Sequence, residues 1–469
     1  MKTNHCKNNK KPNLLYVFPD EFRQQAMGFM CKDPVYTPNL DKLASQGQVL
    51  VNAVSNHPLC SPYRAMLMTG KYPISNGVLA NCNTLNNEYG IYLKDTERCF
   101  SDVLHESGYH VGYVGKWHLD PPEEPFEYLE PRRAGGLVWD AYNIPGPRRH
   151  SFDFWYSYGC CDKHFTPHYW RNNARIEERL DVNEWSVQHE ADVVIDYINN
   201  PNEVYREPDK PFAIFWAPNP PHMPFEEVPE EYQRLYENKS VEELLKRGNV
   251  DLSIKDGKTA TAVKQVKNYF AAVTGVDEQF GRVLKCLEEN GLDNDTIVIF
   301  TSDHGEMMGS HNRMEKSVWY DEAFLVPFII RWNEVIQPGY NDLHLGVPDI
   351  MPTVLGLMDL EGNVPHGVEG RDYSGVFTGK HFNRPNSAFY ISPSKEESML
   401  GSRGVRTDQY TFVISKEQDG SKYYLFDNKN DPYQLKNIAA ENLPLVSKLK
   451  KELYVWLNQT NDPWVTGSI

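Results

Sequence analysis

Several absences in this chain of 469 residues limit what it can be. It has no apolar run near the roughly 20 residues a membrane helix needs. The positively charged stretch Met1–Lys11 is followed only by Leu14–Phe18, too short for a signal core. The chain as given is therefore expected in the cytoplasm, or in the periplasm or outside the cell if a leader has been removed. It also lacks a basic excess, since 48 Lys and Arg against 64 Asp and Glu leave a formal charge of -16. That excludes a general nucleic-acid or anionic-membrane surface, because such partners reward a basic face. An anionic substrate would need a local cationic pocket. The eight cysteines (Cys6, Cys31, Cys60, Cys82, Cys99, Cys160, Cys161 and Cys286) show no repeated spacing and no Cys-x-x-Cys pair. They read as mostly reduced thiols, which argues against a disulfide framework and against a zinc or redox site built on cysteine. No internal repeat or low-complexity tract interrupts the chain.

What is present is an alternation of short apolar runs with helical patterns. Leu14–Phe18, His110–Val114, Phe212–Trp216, Thr296–Phe300 and Pro327–Arg331 read as buried strands, being β-branched or aromatic and bounded by Pro, Gly or Asp. Asn39–Gln46, Ala191–Asn199 and Ala260–Asn290 carry apolar residues at helical spacing. The pattern predicts an α/β fold with a large, mostly parallel sheet sandwiched by helices, over residues 11–374. From residue 375 to 469 the character changes to short strands around Phe389, Val405, Phe412 and Leu425, then a helix from Leu443 to Leu457. This predicts a smaller antiparallel-sheet plus helix subdomain. Roughly 150 residues per domain makes two or three units a reasonable expectation.

In parallel sheets, ligands gather beyond the carboxyl ends of the strands. Asp20 and Glu21 follow the first strand, Lys116 and His118 the second, His222 the third, and Asp303 and His304 the fourth. Carboxylate oxygens in such a group suit a hard divalent cation. Side chains of neighbouring strand residues point to opposite faces, so Asp20 and Glu21 can share an ion only if the backbone turns there. The alternative is an N-cap for Asp20 and a solvated Glu21.

The most specific run is Cys60-Ser61-Pro62-Tyr63-Arg64, continued by Ala65 to Pro73. It resembles the signature of the formylglycine-dependent sulfatases, of the alkaline phosphatase-like superfamily, in which a maturation enzyme oxidises the cysteine to an aldehyde. Thr37–Asp41, Gly112–Leu119, Asn219–Pro224 and Thr301–Gly305 also resemble family segments, in family order, and Val405–Thr407 with Leu425–Pro432 resemble its carboxyl-terminal part. Among these enzymes the chain is most similar to the bacterial carbohydrate sulfatases.

The resemblance implies a metal-dependent sulfuric ester hydrolase that removes sulfate from a sulfated sugar. Cys60 would become formylglycine through a formylglycine-generating enzyme. One hydroxyl of the hydrated aldehyde attacks sulfur, and the other collapses to the aldehyde and expels sulfate. Asp20, Glu21, Asp303 and His304, with the modified Cys60, would hold one divalent cation, calcium ahead of magnesium, that activates the hydroxyl and polarises the sulfate. Many relatives carry Asp-Asp or Asp-Gln where this chain has Asp20-Glu21. Arg64, one helical turn from Cys60, would bond the hydrate. Lys116 and His118 would share a face beside the hydrate and the sulfate. Asp303 would accept the nucleophile's proton, and His222 would protonate the leaving oxygen. Lys316 would contact sulfate, with Arg313 and His311 as neighbouring candidates. The stretch Asp120–Trp170, with Arg132-Arg133, Arg148-Arg149, His164, His168, Tyr169 and Trp170, reads either as a substrate entrance or as packing, and packing is favoured.

Three rivals follow from the same residues. One is a phosphonate monoester or phosphodiester hydrolase using the same aldehyde. Another is an unmodified, non-catalytic binder of sulfated glycans, and the last is a hydrolase using Cys60 as thiolate. The sugar, the sulfated position, endo or exo action and the oligomeric state are not legible.

Overall fold

The computed structural model describes residues 11–130, 132–133, 136–380 and 383–466. Met1–Lys10, with Cys6, and the side chains of Arg132 and Arg133 lie outside the described residues. The main sheet has ten strands, in the order Gly339–Leu345, Gln48–Ala53, Ile329–Arg331, Thr296–Phe300, Asn13–Val17, Phe212–Ala217, His110–Lys116, Phe154–Tyr158, His168–Arg171 and Leu180–Asp181. The five strands from Thr296–Phe300 to Phe154–Tyr158 are mutually parallel. Ile329–Arg331 pairs antiparallel with Thr296–Phe300. No long helix crosses a face between these two strands, so the chain returns beside the strand it left, in the opposite direction.

Alternation along the central strand explains the layers. Leu14, Tyr16 and Phe18 pack with Met66, Leu67, Phe100, Leu104 and Leu355 on one face. Leu15 and Val17 pack with Leu40, Leu43, Val194 and Phe280 on the other, so helices cover both faces. The first face is supplied by helices Cys60–Thr69, Phe100–Glu106 and Val347–Leu357. The second is supplied by Pro38–Gln46, Ser186–Asn199 and the 33-residue helix Gly257–Glu289.

The carboxyl-terminal part is a four-stranded antiparallel sheet, Ala388–Pro393, Gly401–Arg406, Tyr410–Glu417 and Gly420–Asp427, with the helix Leu443–Gln459. Phe412, Ile414, Leu425, Leu449, Leu453 and Leu457 join the same apolar cluster as the first face of the main sheet. The core is therefore continuous across the two parts. Among the described residues no helix is long and apolar enough to cross a membrane, and the seven described cysteines are all free thiols.

Candidate active site

Thr296–Phe300, Asn13–Val17, Phe212–Ala217 and His110–Lys116 are neighbours, so the residues after them reach one rim. Asp20, Cys60, Asp303 and His304 converge there, with one potential ligand atom from each lying within 4.8 Å of the others. All four are buried. Cys60 is the first residue of the helix Cys60–Thr69, and its Sγ lies 3.3 Å from His304 Nε2 and 3.7 Å from Asp20 Oδ1. The backbone turn that Asp20 and Glu21 required is present. Glu21 has φ 67°, its N–H donates to Asp303 Oδ1 at 3.1 Å, and its carbonyl accepts from Tyr269 Oη at 2.9 Å.

The donor set suits a hard cation. Two carboxylates and an imidazole face each other in a dry site, where like charges repel strongly. Burial first, then the neighbouring Asp20 charge, raises the Asp303 carboxyl to about 6. Burial also opposes ionisation of Asp20, but Lys116, His222 and His304 together hold it well below the usual carboxylate range. His304 Nδ1–H donates to the Gly305 carbonyl at 2.9 Å, which leaves Nε2 as the nitrogen facing Asp20 and Cys60. A fixed tautomer of this kind is what a metal-binding histidine needs.

Arg64 is fully buried and its Nη2 donates to both Asp20 Oδ2, at 3.2 Å, and Asp303 Oδ2, at 3.0 Å. Its Nη1 donates to the Lys116 carbonyl at 2.5 Å. Lys116 Nζ lies 2.7 Å from Asp20 Oδ2 and 4.0 Å from Cys60 Sγ. His118 has φ 51°, so strand alternation does not extend to it, and its placement comes from a bend. Its Nε2–H donates to the Cys82 carbonyl at 3.0 Å, while Nδ1 is buried without a partner. Burial first, then Lys116 and Arg64, lowers its pKa.

Glu21 stands apart from the four-residue group. Its carboxylate clusters with Asp20 and His222, with Oε1 3.1 Å from Lys316 Nζ and Oε2 3.7 Å from His222 Nε2. Glu21 thus links His222, the expected proton donor, with Lys316, the expected sulfate contact. Burial, reinforced by Glu306 and opposed by Lys316, raises its pKa, whereas burial and the two lysines lower that of His222. Lys316, and not His311, faces the site, since His311 stacks on Tyr320 at 3.8 Å.

A profile of the family described as Sulfatase matches residues 12–360. The chain belongs to the sulfatase family. A second profile, N-sulphoglucosamine sulphohydrolase, C-terminal, matches residues 309–460 of this sulfatase. An endo-4-O-sulfatase of Bacteroides thetaiotaomicron is 41% identical over 98% of this chain and 94% of its own. An ulvan-active sulfatase of Formosa agariphila is 32% identical over 96% and 81%. A solved structure concerned with glycosaminoglycan metabolism by Bacteroides thetaiotaomicron superposes with TM-score 0.90 at 41% identity, over 97% of this chain and 98% of that one. A phosphonate monoester hydrolase of Agrobacterium radiobacter shares the fold, with TM-score 0.70 at 20% identity, over 96% of each chain.

Four residues support the site in ways that their sequence positions did not reveal. Asn219 Oδ1 accepts from Lys116 Nζ at 3.0 Å, and its Nδ2 donates to the Cys161 carbonyl at 2.9 Å. Asp162 Oδ1 lies 3.6 Å from His222 Nδ1. His164 Nε2–H donates to the His222 carbonyl at 2.8 Å. Glu306 Oε1 accepts the N–H groups of Met308 and Glu315 at 2.8 and 2.9 Å, shaping the loop that carries Lys316. Asn219 adjoins the Pro-Pro-His run and was the one with a readable signal. In the Asp120–Trp170 stretch packing prevails: Tyr169 and Trp170 are buried, and His168 Nε2–H donates to Asp140 Oδ2 at 2.8 Å.

Proposed function

We propose that this sulfatase hydrolyses sulfate esters of a carbohydrate, with Cys60 oxidised to formylglycine and one divalent cation, calcium ahead of magnesium, held by Asp20, Asp303, His304 and residue 60. The observation that carries the reading is the convergence of those four side chains beside two buried cations, Arg64 and Lys116, and the half-buried Lys316. Sugar sulfates as substrates are supported by the names of the endo-4-O-sulfatase and the ulvan-active sulfatase that this chain resembles. The cation would lower the pKa of a bound hydroxyl and polarise a sulfate oxygen. The aldehyde hydrate would supply both the nucleophilic oxygen and the hydroxyl whose proton must leave to free sulfate.

The other roles follow from the chain's own groups. Arg64 orients the Asp20 and Asp303 carboxylates through a single guanidinium nitrogen, Nη2. Asp303 accepts the nucleophile's proton. His118, anchored through Nε2, offers its unpartnered Nδ1 as the acceptor for the second hydroxyl proton. Lys116, held by Asp20 and Asn219, and Lys316, held by Glu21, neutralise the sulfate oxygens as charge develops. Nδ1–H of His222 is committed to the Met223 carbonyl at 2.8 Å, so proton donation comes from Nε2, and the negative charge of a bound sulfate ester favours the imidazolium that this requires. The grouping of Glu21 with Lys316 and His222 favours an orienting role for it over direct ligation.

Cys60 is 1% exposed, so the maturation enzyme must act before the chain closes over it. Refolding the unmodified protein in the presence of that enzyme should give less aldehyde than co-expression. The reading is tested by parallel turnover of an aryl sulfate and an aryl phosphodiester, followed by defined sulfated mono- and disaccharides with released sulfate measured. A strong preference for the phosphodiester would overturn it.

A further inference from the structure

At the seam between the main sheet and the antiparallel sheet lies a cavity of about 510 Å³, separate in its lining from the site above. Its walls carry Lys32, Lys246, Arg247 and Arg406 against Asp321 and Asp408, a cationic excess in a chain of charge -16. The two arginines already have carboxylates. Arg406 grips Asp321 through Nε and Nη2 at 2.8 and 3.0 Å, and Arg247 lies 2.6 Å from Glu322. Asp408 is turned toward His344 Nε2, at 3.0 Å, and its side chain is 68% exposed. Lys32 and Lys246 are exposed, and neither forms an ion pair among the described residues. Arg247 and Arg406 place like charge near Lys32, with Asp321 opposing it. An anion in the cavity would relieve that repulsion.

The cavity is close to the chemistry along the chain. Gln25 in its wall is four residues from Glu21, and Asp321 is five from Lys316. Extended chain spans at most about 3.5 Å per residue, so these backbone positions lie within roughly 14 and 18 Å of each other. Such a separation suits one long substrate occupying both places. Resting on the proposed function, we infer that this cavity is a second anion subsite, which takes a sulfate or carboxylate group of the saccharide chain at a distance from the ester being cut. Elsewhere an acidic surface repels a polyanion, so such a subsite would orient the chain as well as hold it.

The test is the matured enzyme carrying Lys32→Ala and Lys246→Ala, both solvent-accessible and outside the catalytic machinery. Against sulfated oligosaccharides of increasing length, KM should rise by about five- to tenfold for the long members, as loss of two exposed charge contacts predicts. The kcat on those members, and kcat/KM on an aryl sulfate, should stay unchanged. High salt should erase the difference between wild type and variant. An equal KM for long oligosaccharides in both proteins would overturn the subsite. So would a change confined to inhibition by inorganic sulfate, which would show that the cavity serves the free anion. If wild type fails to release sulfate from any saccharide, the proposed function fails instead, and binding of the oligosaccharide to the two proteins then tests the subsite alone.

Discussion

Arg64 decides whether two buried carboxylates can share one site. Its Nη2 contacts both Asp20 and Asp303 at side-chain exposures of 1% and 0%, and an unpaired charge at such a place costs several kcal/mol. A lysine is a point donor on a flexible stem and cannot reach both carboxylates while also replacing the Nη1 contact to the Lys116 carbonyl. Arg64→Lys should therefore lower kcat/KM on an aryl sulfate by about a hundredfold or more, the effect of a roughly 1 Å misplacement, while circular dichroism stays native. His222 makes a sharper prediction. If it protonates the leaving oxygen, His222→Ala should slow sugar sulfates by about 10²–10⁴-fold and spare nitrophenyl sulfate, whose leaving group needs little help. Equal losses on both would remove the role.

The supporting elements demand close approach at the strand ends. Gly305 sits where a Cβ would fall 1.9 Å from the Glu322 carbonyl, and Gly115, at φ 99°, would place one 2.4 Å from that of Ala217. Gly305→Ala should cost at least about 2 kcal/mol of stability by overpacking, read as a lower denaturation midpoint at unchanged m-value. Behind these strand ends, Glu190 of the helix Ser186–Asn199 accepts from Tyr169 Oη and Trp216 Nε1, both at 3.0 Å. Burial pushes its carboxyl up to about 8. A raised carboxyl keeps its proton longer in the folded state, so its contribution is complete below about 4.5 and is lost as pH rises toward about 8. Glu190→Gln, which cannot ionise, should gain stability over wild type across that window, by at most roughly 1.4 kcal/mol per pH unit, and the gain should level off above it. A difference in Tm that is flat from pH 5 to pH 8 would mean the carboxyl is not buried neutral.

At the scale of the whole molecule, what could be read in the sequence was set by how local the signal is. Cys60 and Arg64 lie one helical turn apart, and Asp20, Asp303 and His304 each directly follow an apolar strand. Their meeting follows once the strands are taken as parallel neighbours. The strand Gln48–Ala53 was missed because Gln48 and Asn52 dilute its apolar pattern, and only pairing with Ile329–Arg331 and Gly339–Leu345 makes it a strand. The supports from Asn219, Asp162 and His164 depend on contacts up to 103 residues apart, which no spacing rule reaches. The landing of Glu21 beside Lys316, 295 positions away, was invisible for the same reason. Because a cation bound only by the folded chain stabilises it by mass action, chelation should abolish activity and lower Tm, and readdition should restore both. Activity that survives chelation would favour thiolate chemistry at Cys60.

The most direct single measurement is the mass of the peptide bearing Cys60, taken from protein whose sulfate release has been recorded. Replacement of the thiol by an aldehyde removes about 18 Da, and the account predicts that the converted fraction rises in proportion to specific activity. Full activity in a preparation whose Cys60 is entirely unmodified would contradict it.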